Sequence, residues 1–165
     1  MAELQPSAPA RETPDVLAYR RFIARGKPGP HSYVVLIGRK VYGTRALLES
    51  VEEGLPFSAF EHLQRNLALP AAELAELVQI RPRTLARRKE QGRFEPDESD
   101  RLLRASRLLA QALELFEGDA AAARAWLAAP QPALGGATPL SVARTDTGSR
   151  EVEKLVGRLE HGVFS

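Results

Sequence analysis

From residue 44 onward, apolar side chains recur every three or four positions, which predicts helices along most of the chain. The first begins with Thr44 as its N-cap and ends at Gly54. Its apolar face consists of Leu47, Leu48 and Val51. Pro56 opens a second helix with an apolar row of Phe57, Phe60, Leu63 and Leu67. We expect this second helix to be a plain part of the core.

Two shorter helical patterns follow with only a tight connection between them. A short helix is predicted around Leu74, a turn passes through Gln79 and Ile80, and the next helix starts near Pro82. This is the spacing of a helix-turn-helix. The apolar residues predicted to join the two helices are Leu74, Ala75, Val78, Ile80 and Leu85. Gln79 takes the turn position that usually holds Gly, and a residue with a side chain adopts the left-handed backbone of such a turn less readily.

The second half predicts further helices separated by Gly and Pro. A long helix runs from Pro96 to Gly118, with an apolar stripe of Leu102, Leu103, Leu109, Leu113 and Phe116. Asp119 caps the next helix, which stops before Pro130 and turns Trp126 and Leu127 inward. A shelf rich in Pro and Gly then leads to Thr138 and Pro139, which start a short helix with Leu140 and Val142. The last helix, from about Thr147 to His161, has a seam of Val152, Leu155, Val156 and Leu159 and closes at Gly162.

Before residue 44 the pattern is weaker. Residues 1–31 contain five of the twelve prolines, and only Val16 to Ala24 could form a short helix there. The pattern favours a mostly mobile arm, with a dimer or partner contact through Tyr19 and Phe22 as the alternative. Residues 32–38 (SYVVLIG) form a brief β-branched run, expected to pair across a dimer or to pack as extended chain.

Composition narrows the class of protein. Apolar residues make up 44% and charged residues 27% of the 165 residues, aromatics only 6%, and Ala and Leu dominate the second half, which favours packed helices. Without Cys, disulfides and thiolate metal sites are excluded. The apolar runs are too short for a membrane span and the first residues lack an apolar signal core, so no membrane association and a cytoplasmic location are expected.

Charge is concentrated in one window of the helix-turn-helix. Residues 81–93 contain six basic residues and one acidic residue, whereas the rest of the chain is mildly acidic. The second helix of the motif is therefore predicted to meet phosphates and guanine edges in a major groove, although a merely solvated basic helix is the alternative. The candidate DNA contacts are Arg81, Arg83, Thr84, Arg87 and Arg88. Arg88 stands where this motif generally has an apolar residue.

No combination of residues predicts catalysis. The three histidines, His31, His62 and His161, lie far apart and none has a metal-ligand partner one turn away. Nucleophile-elbow, Walker and dinucleotide-binding motifs are missing from the sequence. We therefore expect no enzyme, no catalytic residue, no metal and no cofactor.

The order of parts resembles the MbcA/ParS/Xre family of bacterial antitoxins over roughly residues 50–164. The motifs that carry the resemblance, besides the helix-turn-helix, are Trp126-Leu127, Leu134-Gly135-Gly136, Thr138-Pro139-Leu140, Thr145 with Gly148, Val152, and Leu159 followed by Gly162. It implies an all-α fold, with an Xre-like helix-turn-helix domain followed by a small helical toxin-binding domain. With the arm at 1–31, the expected domains are 32–110 for the helix-turn-helix and dimerisation, and 111–165 for toxin binding.

The resemblance implies a partner and a mode of action. The expected partner is a cognate RES-domain toxin that consumes NAD or uses it for ADP-ribosylation, blocked by steric occlusion. A homodimer and autoregulation through operator DNA are implied as well. The expected toxin-binding residues are Trp126, Leu134, Gly135, Gly136, Pro139, Arg150, Val152, Lys154, Leu155, Arg158, Leu159, Gly162, Val163 and Phe164. Val163 and Phe164 lie beyond the stop at Gly162, where they either enter the toxin's NAD cleft or fold back onto the last helix.

Two other functions stay open at this point. A stand-alone helix-turn-helix transcriptional regulator would leave the second half of the chain without a role. A purely structural oligomer would not need the basic helix.

Overall fold

The computed structural model describes residues 11–26, 28–40 and 43–162, and these residues form helices and no strand. The α-helices are α1 Pro14–Ala24, α2 Thr44–Glu53, α3 Ser58–Leu67, α4 Ala71–Leu77, α5 Pro82–Gln91, α6 Pro96–Leu115, α7 Ala120–Ala128, α8 Pro139–Val142 and α9 Asp146–Glu160. Two short 3₁₀ helices, Ser32–Ile37 and Pro132–Leu134, lie in the connections. The predicted all-α fold class is confirmed.

Helix α6 is the centre of the molecule. It packs against α1, α2, α3, α7, α9 and the first 3₁₀ helix. Leu102, Leu109 and Leu113 on its apolar stripe are completely buried, as the sequence predicts. Its start is fixed by a capping box, in which Glu98 accepts a hydrogen bond from the backbone N–H of Glu95 at 2.8 Å. Helix α6 therefore connects the helix-turn-helix to the C-terminal helices.

The mobile arm predicted over 1–31 is wrong for the part that the structure describes. Helix α1 is capped by Thr13, and its Val16 and Tyr19 are buried in the core. The side-chain amide of buried Asn66 in α3 donates to Asp15 at 2.9 Å and to the carbonyl of Leu36 at 2.7 Å, which ties α1 to the rest of the fold. Proline content misled the prediction because Pro14 occupies the first turn of this helix, where it is favourable.

The β-branched run 32–38 is also not extended. Ser32–Ile37 forms a 3₁₀ helix that packs against α1, α3 and α6. Val34, Leu36 and Ile37 are buried within the chain, so they are unavailable for a strand across a dimer. Burial on three sides decides the conformation here, and β-propensity is easily overridden by such packing.

Some predicted helix ends are confirmed and others shift by one to three residues. Helix α3 begins at Ser58 and not at Pro56, and α6 ends at Leu115, before the predicted stop at Gly118. Thr44 is the first helical residue of α2, and Gly43 takes the N-cap position. Gly54 ends α2 as expected. Leu47 faces the core, whereas Leu48, predicted to share its apolar face, is 58% exposed.

Candidate functional site

Helix α5 has the predicted place in a helix-turn-helix. It follows α4 through Gln79 and Ile80, and Ile80 is buried between the helices. Gln79 adopts the left-handed conformation with φ 53°, although it is not Gly. Arg101 of α6 stabilises this turn, because its guanidinium donates to the carbonyl of Val78 at 2.7 Å and to that of Gln79 at 3.5 Å. The sequence pattern could not reveal this contact, which joins residues 22 positions apart.

The basic side chains of α5 divide into two groups. Arg81, Arg83 and Arg87 are exposed, and Thr84 is half-buried. In the described part of the chain these three arginines form no ion pair, so their charge is available to a polyanion. The exposed Lys89, which was not among the predicted DNA contacts, adds to the same helix.

Arg88 belongs to the fold, and its prediction as a DNA contact is wrong. Only 9% of the residue is exposed, and its Nε donates to the carboxylate of Glu98 at 2.6 Å. Another guanidinium nitrogen donates to the side chain of Gln91 at 3.0 Å. The hydrogen bond with Glu98 raises the pKa of Arg88. The apolar position expected at this point of the motif is thus filled by an ion pair that fastens α5 to the start of α6.

The shelf between α7 and α8 is an ordered exposed turn. Trp126 is partly buried against Phe116, with ring centroids 6.4 Å apart, and Leu134 packs at the edge of the core. Gly135 and Gly136 are exposed with φ of 66° and 84°, a left-handed pair that other residues adopt with strain. The backbone of Gln131 closes the turn through hydrogen bonds with Gly136 and Ala137.

The connection from α8 to α9 depends on the missing side chain of Gly148. A Cβ atom at this position would lie only 1.8 Å from the carbonyl oxygen of Val142 in α8. The backbone N–H of Gly148 donates to the Thr145 hydroxyl, which caps α9. The two helices can approach this closely only with Gly at position 148.

Three predicted toxin-binding residues are buried inside the chain. Val152 is fully buried, and Leu155 and Pro139 are buried as well. Their prediction as direct toxin contacts is wrong, because α9 packs against α6 and α8. Arg107 of α6 also pairs with Glu153 of α9 at 2.9 Å.

The outer side of α9 carries accessible charged side chains and borders α6, because Asp146 also pairs with Arg104 of α6 at 3.7 Å. Arg150 pairs with Asp146 at 3.0 Å and Lys154 with Glu151 at 2.8 Å, and all four side chains are more than half exposed. Exposed pairs of this kind contribute little to stability, so they can exchange partners at low cost. Other predicted contact residues near the end of α9 are partly buried or exposed: Arg158, Leu159 and Gly162. Val163 and Phe164 lie outside the described residues.

A hollow that the sequence did not predict separates α4 from α8. It encloses about 400 Å³ and is lined by Leu69, Leu77, Ala128 and Leu140 together with polar side chains. Arg144 and Glu76 form an ion pair at its edge, joining the C-terminal helices to the first helix of the helix-turn-helix. The sequence could not predict this hollow, because it forms between α4 and α8, which are far apart along the chain.

Neither a membrane span nor a metal cluster is found in the part of the chain that the structure describes. No helix there is long and apolar enough to cross a membrane. The same residues contain no group of three His, Cys, Asp or Glu side chains arranged to hold a metal ion.

The two helical regions match two known families in the same order. Residues 46–107 match the antitoxin Xre-like helix-turn-helix domain, and residues 111–162 match the antitoxin Xre/MbcA/ParS C-terminal toxin-binding domain. The chain is 39% identical over 120 residues to a protein named antitoxin Xre from Yersinia enterocolitica, covering 72% of this chain and 81% of that protein. A second antitoxin Xre, from Photorhabdus laumondii, is 34% identical over 116 residues, which are 70% of this chain and 78% of the relative. An antitoxin Xre from Pseudomonas putida is similar over a shorter region, with 37% identity over 66 residues, 40% of this chain and 41% of that protein.

Proposed function

The chain belongs to the Xre/MbcA/ParS family of antitoxins, and on that premise we propose that it binds and sterically blocks a RES-domain toxin that consumes NAD or transfers ADP-ribose. The family is non-enzymatic, and a toxin is the partner that its C-terminal domain implies. The identity of the toxin as a RES protein comes from the resemblance described above. A stand-alone regulator would leave the toxin-binding region 111–162 without a purpose.

One observation carries the proposal more than any other. Within the matched toxin-binding region, the shelf and the outer side of α9 are folded yet not covered by the rest of the chain. Rigid exposed turns lose little conformational entropy on binding, which favours tight inhibition. We therefore assign toxin contact to the exposed Gly135, Gly136, Arg150 and Lys154, and to the partly buried Trp126, Leu134 and Arg158. The buried residues Val152, Leu155 and Pro139 support this surface by packing beneath it.

The test co-expresses the chain with the toxin encoded at its native locus. The variant Arg150→Glu/Lys154→Glu reverses charge on the outer side of α9, and we expect it to restore growth and cellular NAD less well than the original chain. The control, Arg45→Glu, reverses the charge of an arginine of α2 whose side chain is 93% exposed and which lies outside the toxin-binding region. Equal protection by both variants would exclude this side of α9 from the toxin contact.

The end of the chain is tested separately. Deletion of residues 162–165 removes Gly162 together with Val163 and Phe164, which we propose enter or rim the toxin's NAD cleft. Burying one such aromatic contributes about 1.5–3 kcal/mol, enough to weaken a tight inhibitor measurably. The truncated chain should keep its fold and DNA binding but lose protection. Full protection would place inhibition on α9 or the shelf instead.

DNA binding is proposed for α5 because its exposed arginines form no ion pair within the described residues. We expect weak, salt-sensitive binding to an inverted repeat in the promoter of the operon, stronger when the toxin is bound because the complex presents more than one motif. Arg83→Ala and Arg87→Ala should each weaken binding and reduce the salt slope by about one unit if they contact phosphates. Full repression of the promoter by the double variant would show that α5 does not read DNA.

A homodimer is proposed through α2. The buried run 34–37 no longer supports it, but Leu48 on α2 is an exposed large apolar residue that a second copy would cover. Light scattering should show a dimer at roughly tens of micromolar, a concentration at which interfaces of ordinary size persist. Leu48→Glu should convert this dimer to a monomer. A monomeric original chain would contradict the proposal.

A further inference from the structure

A second basic stretch lies in the N-terminal part of the chain, away from the helix-turn-helix. Between Val16 and Leu48 there are seven Lys and Arg residues and no Asp or Glu. They are Arg20, Arg21, Arg25, Lys27, Arg39, Lys40 and Arg45. All seven precede residue 46, where the match to the helix-turn-helix family begins. Neither the DNA-binding nor the toxin-binding region therefore accounts for this charge.

The same stretch encloses an apolar hollow of about 580 Å³. Ala18 and Phe22 of α1 form one wall, and Pro30, Val34 and Val35 form the other. Lys40 stands in the lining, so a cation lies directly beside the apolar surface. Exposed apolar surface of this extent often marks a site of interaction. An apolar hollow with a few polar groups is typical of a binding site.

The cations around the hollow differ in whether they have partners. Arg20 is used by the fold, since its guanidinium donates to the carbonyl of Gly118 at 2.9 Å and 3.1 Å. By contrast, Arg21, Arg25 and Lys40 are exposed and form no ion pair with any described residue. On α1, Arg21 and Arg25 are one turn apart and lie next to the row of Ala18 and Phe22. The apolar hollow is thus flanked by charges that nothing in the described chain neutralises.

We propose that this hollow binds an acidic segment of a partner protein that inserts one large apolar side chain. The apolar side chain would lie between Phe22 and Val35, and carboxylates on either side of it would pair with Arg21, Arg25 and Lys40. Leu17, exposed by 41% one turn before Arg21, extends the apolar surface along α1. DNA would satisfy the cations but offers no large apolar group for the hollow, so an acidic protein segment fits both features. The proposal does not depend on toxin or operator binding.

The experiment measures binding of a short fluorescent peptide made of Glu and Asp with one central Phe, at low salt, by fluorescence anisotropy. A matched peptide has Ala in place of Phe. We expect the Phe peptide to bind the full chain at least about tenfold more tightly than the Ala peptide. Arg21→Glu/Lys40→Glu should reduce binding of the Phe peptide at least about tenfold, and added salt should weaken it in the original chain. The control Arg83→Glu/Arg87→Glu makes the same charge change on α5 and should leave peptide binding unchanged.

Three results would overturn the proposal. Equal binding of the Phe and Ala peptides would mean that the hollow accepts no side chain. Loss of binding to promoter DNA in Arg21→Glu/Lys40→Glu, with peptide binding intact, would assign these cations to DNA. A dimer that becomes monomeric in this variant would assign the hollow to a second copy. If the charge reversal prevents folding, Ala18→Leu, which fills the hollow and keeps every charge, tests the same point: unchanged affinity for the Phe peptide would then contradict the proposal.

Discussion

At the scale of single residues, neighbouring arginines of α5 have different physical roles. Arg87 is exposed, whereas the next residue, Arg88, is withdrawn from water and held by Glu98 at 2.6 Å. A charge that is removed from water requires a partner close by, and Glu98 is that partner for Arg88. Arg88 therefore contributes to the fold, whereas Arg87 is free to contact a ligand. Basic character alone therefore does not identify a DNA contact.

Removing one partner of this ion pair should be costly. We expect Arg88→Ala to lower the free energy of unfolding by about 3 kcal/mol, because it leaves the buried carboxylate of Glu98 without its cation. Urea unfolding measures this change, and Arg87→Ala is the matched control on the same helix, expected within about 0.5 kcal/mol of the original chain. Arg88→Met/Glu98→Gln, which removes both charges and keeps an acceptor for the backbone N–H of Glu95, should recover much of the loss. A double variant as unstable as the single one would contradict the account.

Tyr19 makes stability depend on alkaline pH. Burial, followed by the charge of Glu114 and its hydrogen bond, raises the pKa of Tyr19. The folded chain then binds the phenolic proton more tightly than the unfolded chain does, so the stabilisation is complete below about pH 10 and is lost as pH rises towards the folded pKa. The free energy of unfolding should therefore be lower at pH 11, above the pKa of free tyrosine of about 10, than at pH 9, and it should continue to fall as pH rises further.

The control for this pH dependence is Tyr19→Phe. Burial also raises the pKa of Tyr33, so the variant should reduce the alkaline loss of stability without abolishing it. Urea unfolding at both pH values, with absorbance of tyrosinate as a second readout, measures the difference. An identical loss in the variant would show that Tyr19 does not cause it.

At the scale of elements, the contact between α8 and α9 sets the shape of the toxin-binding region. The approach at Gly148 leaves no space for a methyl group beside the carbonyl of Val142. Thr138 and Thr145 cap the two helices through their hydroxyl groups, so their relative position is fixed at both starts.

Gly148→Ala should therefore separate α8 from α9. We expect loss of protection against the toxin while binding to promoter DNA is retained, because α5 lies outside the altered contact. Gly157→Ala is the matched control in the same helix, since a Cβ atom there meets nothing within 4 Å. It should stabilise the chain by up to about 1 kcal/mol through helix propensity. Full protection by Gly148→Ala would show that the neighbouring backbone relaxes without consequence.

At the scale of the whole molecule, the core is continuous from α1 to α9. Buried residues of the N-terminal helix, the helix-turn-helix and the last helix belong to one apolar cluster, joined by α6. Because these parts share one core, none of them is expected to unfold separately, which favours a single cooperative unfolding transition.

A change in the last helix should consequently destabilise the whole chain. We expect Val152→Ala to lower the free energy of unfolding by about 2 kcal/mol and to lower the midpoint equally whether the probe is Trp126 fluorescence or far-ultraviolet circular dichroism. Glu160→Ala, at an exposed position of the same helix, should change it by less than about 0.5 kcal/mol. Two separated transitions would mean that the regions fold independently.

The sequence by itself determined the features that depend on neighbours along the chain. The start of α6, both ends of α7, the Thr138 cap and the turn at Gln79 were predicted because capping and helical periodicity act over a few residues. The family resemblance was recognisable from such local motifs as well. Local patterns were sufficient to indicate an all-α chain with a helix-turn-helix.

Only the tertiary structure decided what each side chain faces. Arg88 meets Glu98 ten positions away, Val152 is covered by α6, and the run 34–37 becomes helical because three helices surround it. Tyr19 lies in the core although the sequence predicted a mobile arm for its segment. Burial and ion pairing depend on the sum of distant surfaces brought together on folding, and no local window of the sequence contains that information.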